Sequence, residues 1–377
     1  MKRGSSLQRR LTLGALEFHR MMKQAIVLAR EGRIDFMRDA SLSDAPLLLA
    51  GDVGGTNVRL ALFTVEGSRL VRCDEAKLKS RDFRSLDEAV LHWVGSRRDF
   101  SAAGFGVAGP VRKGRCEATN LPWVVDAAGL AARLGLRSVV LLNDLVANGL
   151  GLAELGPDDF AVVNRGDEDP EGCAALISPG TGLGEGFLVR EGTEWRALPS
   201  EGGHASFAPR GPWEIDLLQH LKRELSHVSV ERLVSGRGLV TLYRFERERS
   251  GVPEPAWLAE EIALSGDPAP AISGAALSGR DGVAAQALEH WVSLYGAEAG
   301  NLALKVMATA GVYLGGGIAP RVLPKLLDGT FFGAFCDKGR LAPLLSRIPV
   351  RVVLNDECAL LGAARAAARS AEGKAIS

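Results

Sequence analysis

Cysteine is scarce in this sequence and badly placed for pairing. Cys73, Cys116, Cys173, Cys336 and Cys358 are odd in number, far apart and never in a CxxC pair. That excludes a disulfide framework and a zinc knuckle, and it points to a reducing, cytoplasmic setting. His19, His92, His220, His227 and His290 show no HExxH spacing, so no structural zinc is expected. No apolar run reaches the roughly 18 residues of a membrane span. Lys plus Arg equal Asp plus Glu at 45 each, so the overall charge asks for neither nucleic acid nor a membrane surface. No GxxxxGK[ST] sequence occurs, which excludes a Walker-type phosphate loop. A dinucleotide fingerprint matches once, at Gly104, Gly106 and Gly109, but Pro110 and Val111 continue extended chain where that motif needs a helix N-terminus facing the pyrophosphate.

What is present is a soluble composition, 46% hydrophobic and 24% charged, on 377 residues. Single cores stop growing near about 250 to 300 residues, so two domains are expected. Residues 1–45 begin basic and run into an amphipathic stretch with charges throughout. A signal peptide needs an uninterrupted apolar core there, and Glu17, Glu31 and Asp35 argue against a transit peptide. This segment reads as a helical or frayed extension.

From Pro46 short strands alternate with amphipathic helices. Strands are predicted over 47–53, 59–65 and 70–78, a helix over 85–96, a strand in "GFGVAGPV", a helix begun by Asp126, and a strand "RSVVLLND" running into the helix "DLVANGLGLAEL". Helices are predicted over 213–225, 231–247 and 284–308. "GVYLGGGIAP" reads as strand, glycine turn and a helix with Pro320 at its second position. A last strand, "PVRVVLND", and an alanine-rich helix from Glu357 follow. "SGVPEP" and "SGDPAPAISG" read as turn-rich insertions. The pattern is α/β.

One feature repeats. "LLLAGDVGGTNVRLAL" is strand, acid, glycine-threonine turn and strand, and "CAALISPGTGLGEGFLV" restates it. Gly54 and Gly55 are free to take positive φ and to let another molecule approach the backbone. Asp52 and Thr56 beside them add a carboxylate for a cation and donors for an anion. The loop around Gly180, Thr181 and Gly182 is either a flexible hairpin or a phosphate cradle, and its echo of 51–57 favours the cradle. Asn143 and Asp144 sit where a buried strand meets a helix. They are either a helix cap or a carboxylate lining a cleft that accepts a hydroxyl proton. Glu201 and His204 flank two glycines as a hydrogen-bonding arm suited to a polyol. Glu231 is either a first-turn helix acid or part of the same site. "LGGGI" offers bare backbone against which a flat ring can lie.

Together these pieces resemble the bacterial glucokinases, in the superfamily that joins sugar kinases, actin and the 70-kilodalton chaperones. The matching text is "GDVGGTNVRLALF", "ATNLPWVVD", "LLNDLVANGLGL", "GTGLGEGFLV", "EGGHASFAP", "VSVERLVSG", "LGGGIAPR", "FCDKGR" and "NDECALLGAA", in the family's order from about residue 47 to 368. The resemblance implies an α/β, two-domain ribonuclease H-like (actin-like ATPase) fold with an interdomain cleft. Its bodies would be a small domain of 46–154 plus 355–377 and a large one of 155–354. It implies transfer of the γ-phosphoryl group of ATP to the 6-hydroxyl of glucose, with Asp144 as general base and Asn120, Asn143, Glu201, His204 and Glu231 on the sugar. Gly51, Asp52, Val53, Gly54, Gly55 and Thr56, with Gly180, Thr181 and Gly182, would hold the phosphates. Asp52 would act on magnesium through water, and Gly315 and Gly316 would border adenosine. A homodimer is implied by analogy. The alternatives are a kinase of another hexose and a sugar-sensing regulator without catalysis. The related ROK group carries a cysteine-rich zinc motif after its Glu and His arm, where this chain has "FAPRGPWEIDLL".

Overall fold

The computed structural model describes residues 46–118, 121–192 and 194–374. The extension 1–45 and Asn120 lie outside the described residues. From Leu47 a meander of β1 (Leu47–Val53), β2 (Asn57–Glu66) and β3 (Arg69–Lys79) leads to α1 (Leu86–Val94) and β4 (Phe100–Val107). A small ribbon follows, β5 (Val111–Arg112), β6 (Arg115–Glu117) and β7 (Val124–Asp126). Then come α2 (Ala127–Leu134), β8 (Val139–Asn143) and α3 (Asp144–Gly151). The chain continues through β9 (Phe160–Asn164), β10 (Ala174–Pro179), β11 (Leu183–Glu191) and β12 (Glu194–Ser200) into α4 (Pro212–Leu221), α5 (Gly236–Ser250), α6 (Ala256–Ser265), α7 (Pro268–Leu277) and α8 (Gly282–Val306). It closes with β13 (Gly311–Leu314), α9 (Thr330–Cys336), β14 (Val350–Val353) and α10 (Cys358–Ala371), joined by short helical turns. Among the described residues no helix is long and apolar enough to cross a membrane.

The echo heard in the sequence is an echo of topology. The first sheet runs β3-β2-β1-β4-β8 and the second β12-β11-β10-β13-β14, with β9 added at its edge. In each, a three-stranded antiparallel meander is extended by two parallel strands. The mixed α/β architecture expected for the actin-like ATPase fold is therefore present. Period-two alternation buries both faces of the first sheet. Leu49, Leu60 and Phe105 pack with α1 and α2, while Leu48, Ala50, Ala61 and Phe63 pack with the alanines of α10. Each fully buried Leu or Phe contributes roughly 1.5–3 kcal/mol.

Three expectations need correction. The helix expected over 231–247 starts later: Val230–Arg232 is a single 3-10 turn, and α5 begins after Ser235, whose hydroxyl accepts from the Gly238 amide at 3.0 Å. "SGDPAPAISG" is not an open insertion, because Asp267 caps α7 and Pro268 and Pro270 lie in its first turn, where no intrahelical donor is needed. The helix expected at Pro320 is a 3-10 turn, Ala319–Val322. Strands β9 and β12, like the short ribbon strands β6 and β7, have no counterpart among the expected elements. Strands β9 and β12 lie at the edges of the second sheet, where half-exposed residues blur the alternation.

The glycine match at Gly104 has a packing reason. A Cβ there would stand 2.2 Å from the Ala363 carbonyl oxygen, because α10 lies directly on β4. The same helix closes on α3, where a Cβ on Gly362 would fall 1.8 Å from the Ala147 oxygen and one on Gly151 1.8 Å from the Cys358 oxygen. Gly104→Ala is expected to lower stability by about 1–3 kcal/mol through overpacking. Gly274→Ala, on the exposed side of α7 with open space around it, is expected to raise stability by about 0.5–1 kcal/mol. Urea unfolding of both variants checks the pair, and equal effects would refute the packing account.

Candidate active site

The carboxyl ends of β1, β4 and β8 lie side by side. Asp52 is registered against Gly106, Gly106 against Leu142, and Val107 against Asn143. Gly106 keeps this edge narrow, since a Cβ there would meet the Ala147 Cβ at 2.9 Å and the Asp144 Cα at 4.0 Å. Helix α3 can thus descend beside β1, and Asp52 and Asp144 end on either side of one glycine. Asn143 is the helix cap, accepting from the Leu145 amide at 3.0 Å and donating its Nδ2 to the Gly109 oxygen at 3.1 Å. Asp144 also accepts from the Leu145 amide, at 3.0 Å. Of the two alternatives in the sequence, the structure shows the cap, with the Asp144 carboxyl partly buried beside it.

Both acids are half-buried, and burial sets their chemistry. Loss of solvent pushes Asp52 up to about 6, the Arg59 guanidinium holds it down, and the charges of Asp144 and Asp356 raise it further. Asp144 is also raised by burial, restrained by the Leu145 amide and the Asn143 side chain, and lifted by the charge of Glu201. Arg59 is the cross-strand partner of Asp52. Its guanidinium donates to the Asp356 carboxylate at 2.5 Å and to the Asp356 carbonyl at 3.1 Å. Sequence reading passed over Arg59, although the alternation that buries Val58 and Leu60 marks it as facing the other way.

The second hairpin meets this edge through α3. Leu145 lies over Gly184 and Gly186, where a Cβ would approach its side chain to 3.0 and 3.1 Å. Beyond β12 the arm of Glu201 and His204 runs alongside the turn that carries Glu231, joined by the Ser206–Ser229 bridge and by bonds from the Phe207 amide to the Val228 oxygen and from the Val230 amide to the Ala205 oxygen. His204 stands 3.9 Å from Glu201 through Nε2 and 3.9 Å from Glu231 through Nδ1. Glu231 in turn accepts from the Leu183 amide at 2.9 Å, just past Gly182. Three candidate sugar ligands therefore form one chain of contacts that reaches the glycine-threonine loop.

The loops differ from expectation in one respect. Neither Gly54 nor Gly55 has positive φ, and of the candidate site glycines only Gly316 does, at +77°. The turns instead close by hydrogen bonds, from the Gly54 amide to the Asn57 oxygen at 3.0 Å and from the Gly180 amide to the Gly182 oxygen at 2.8 Å. Gly51 and Val53 are buried strand residues, whereas Thr56 and Thr181 are exposed at the tips. Gly315 and Gly316 press on the start of the second loop, with a would-be Cβ 2.5 Å from Ser178 Oγ and 2.5 Å from the Pro179 oxygen respectively. The arrangement gathers two partly buried carboxylates, Asp144 and Asp52, at one sheet edge, with two turns of polar backbone on the strands of the two sheets.

Comparison with known proteins gives the family and the fold. A family model described as Glucokinase matches residues 49–370. The chain is 41% identical over 339 residues to a glucokinase of Nostoc sp., covering 86% of this chain and 99% of that one. Among solved structures it is similar to a glucokinase from an Antarctic psychrotroph, with a TM-score of 0.75 at 30% identity over 86% of this chain and 99% of the other. A ROK family glucokinase from Streptomyces griseus in complex with glucose and AMPPNP shares the fold, with a TM-score of 0.58 at 22% identity over 86% and 99% of the two chains.

Asp52 is expected to cost stability in the unliganded protein. Its folded-state value of about 6 lies above the ordinary 3.8, so its favourable contribution is complete below the ordinary value and is lost as pH rises through about 6. Asp52→Asn should therefore melt a few degrees higher than wild type at about pH 7.5, with the gain vanishing near about pH 4. Differential scanning calorimetry at the two pH values tests this, and a lower midpoint for the variant at the higher pH would count against it.

Proposed function

The chain belongs to the glucokinase family and is an ATP-dependent hexokinase that moves the γ-phosphoryl group to the 6-hydroxyl of glucose; we propose that Asp144 is the general base of that transfer. The observation that carries this reading is the position of Asp144, at the head of α3 with Asp52 across Gly106 and close enough to Glu201 to feel its charge. Asn143, Glu201, His204 and Glu231 hold the hydroxyls of the sugar, joined by Asn120. A polyol bound this way is selected by hydrogen bonds, since each missing hydroxyl leaves a partner unsatisfied at about 1–3 kcal/mol.

Phosphoryl transfer has a loose transition state that needs position and charge neutralisation more than covalent help. Gly51 to Thr56 and Gly180 to Gly182 hold the phosphates, and Gly315 and Gly316 border adenosine. Asp52 fits a hard divalent cation. Its carboxylate stands at a strand end, and among the described residues no donor hydrogen-bonds it, so its oxygens are available. Magnesium entering with ATP would be held there through water and supplies charge neutralisation on the phosphates. Asp144 must be ionised to take the hydroxyl proton, so turnover falls as acid protonates it, at a pH that burial raises above its ordinary value.

Residues 46–154 with 355–377 form one lobe in this reading and 155–354 the other, closing over the sugar to exclude water as a competing acceptor. The return of α10 to the first sheet supports that division. The five free thiols favour a reducing cytoplasm, and pairing into a homodimer is expected from the family pattern.

ADP release from MgATP, measured with glucose, mannose, fructose, N-acetylglucosamine or no sugar, tests the assignment. Glucose-dependent release is expected to fall roughly 10²- to 10⁴-fold in Asp144→Asn, while glucose binding by calorimetry changes little. Wild-type turnover in that variant would remove Asp144 from the mechanism.

A further inference from the structure

Glu185 lies on β11 between Gly184 and Gly186 and is 1% exposed. Its strand pairs it with Ser200, the residue before the arm. Its Oε2 stands 2.1 Å from where a Cβ on Gly202 would be, so the arm crosses over this carboxyl on bare backbone. Both carboxyl oxygens are buried, and neither has a hydrogen-bond partner. An ionised carboxylate in that position would be neither solvated nor paired. The charged groups that act on it come from α8. Glu298 repels it, and Lys305, which attracts it, already pairs with Glu298 at 3.4 Å. Glu201 and His204 on the arm are mostly solvent-facing, and Glu231 is engaged by the Leu183 amide. Burial first, and the charge of Glu298 second, push Glu185 up to about 7.

We propose that Glu185 is a positioning residue that works as a neutral acid: its protonated carboxyl is the floor on which Gly202 rests, and it keeps Glu201 and His204 where they meet the sugar. Once ionised, the carboxylate must draw in water or a cation, and the arm above it has to lift. Glucose binding is thereby coupled to one proton held beneath the site, at a residue that touches neither substrate. The inference rests on the reading of Glu201 and His204 as sugar ligands.

The test is glucose affinity by calorimetry, without nucleotide, from about pH 6 to about pH 8, on wild type and on Glu185→Gln. Wild-type Kd is expected to rise roughly tenfold over that range, the ratio for one proton with a midpoint near 7. Glu185→Gln, of the same shape and neutral throughout, is expected to hold the wild-type pH 6 affinity at pH 8. Every other group of the site is common to both proteins, so the difference between the two profiles is decisive, and coincident profiles would overturn the proposal. Infrared difference spectra supply a second readout, a protonated-carboxyl band in wild type at pH 6 that Glu185→Gln lacks. If Glu185→Gln does not fold, Glu298→Gln serves, since removing the repelling charge should move the wild-type break to lower pH, and an unmoved break overturns the proposal. Glu201→Gln separates the two readings. Unchanged glucose affinity there sinks the sugar-site assignment and this inference with it, whereas weakened affinity alongside coincident Glu185→Gln and wild-type profiles sinks this inference alone.

Discussion

Close contact of the C-terminal helix with β4 and α3, backbone against backbone, is the constraint on which the site depends. Gly104, Gly151 and Gly362 each remove a side chain that would collide with a carbonyl of the opposing element. The alanine run of α10 completes the fit with small side chains buried against the first sheet. Dense packing of this kind has few alternative arrangements. It fixes the axis of α3, and with it the height at which Asp144 stands above the strand ends. The other flank of α3 is fixed by glycines too, because Leu145 lies over Gly184 and Gly186. The candidate base is thereby held between the two sheets by contacts that involve neither its own side chain nor any ligand.

That placement brings carboxylates together at a cost in free energy. Asp52 and Asp144 are withdrawn from water on either side of Gly106, each raised by burial and by a neighbouring acid. The restraining cation, Arg59, divides its guanidinium between the field of Asp52 and two hydrogen bonds to Asp356. Asp356 and Glu357 precede α10, and Arg72 on β3 engages Glu357. The ion pairs that neutralise the edge of the site are thus the same ones that seat the helix. A bound cation at Asp52 would relieve the repulsion that the unliganded protein carries.

Much of this was legible in the sequence because it rests on local signals. Strand, turn and strand around Asp52 and again around Thr181 follow from alternation and glycine, and the repeated sheet order follows from the repetition. Asp144 was visible as an acid at the junction of an apolar strand and a helix. Three-dimensional neighbours were not visible. Nothing local tells that Ser235 rather than Ser229 caps α5, which left Glu231 assigned to a helix when it occupies a turn facing His204. Asp267 and Pro268 were the signature of a helix start, but a second proline at 270 suggested a loop. Arg59 and Glu185 stood inside quoted motifs and went unassigned, since their meaning comes from what lies across the sheet and above it.

Glycine-rich stretches in a nucleotide-binding protein are readily taken for flexible loops that wrap phosphate, and here their placement argues for a different emphasis. Gly182 makes room for the Glu231 carboxylate, Gly202 for Glu185, and Gly315 for Ser178. In each case the missing side chain admits a polar group of the protein itself. The stretch from Ser178 to Gly186 is therefore a rigid part, closed by its own hydrogen bond and gripped from both sides. Rigidity has a consequence for coupling. The Leu183 amide that Glu231 engages follows directly after Gly182, so an acid proposed for the sugar is hydrogen-bonded straight onto the loop proposed for the nucleotide. A shift of Glu231 on meeting a hydroxyl has to move the loop or break that bond, and a stiff segment transmits such a shift where a slack one would absorb it.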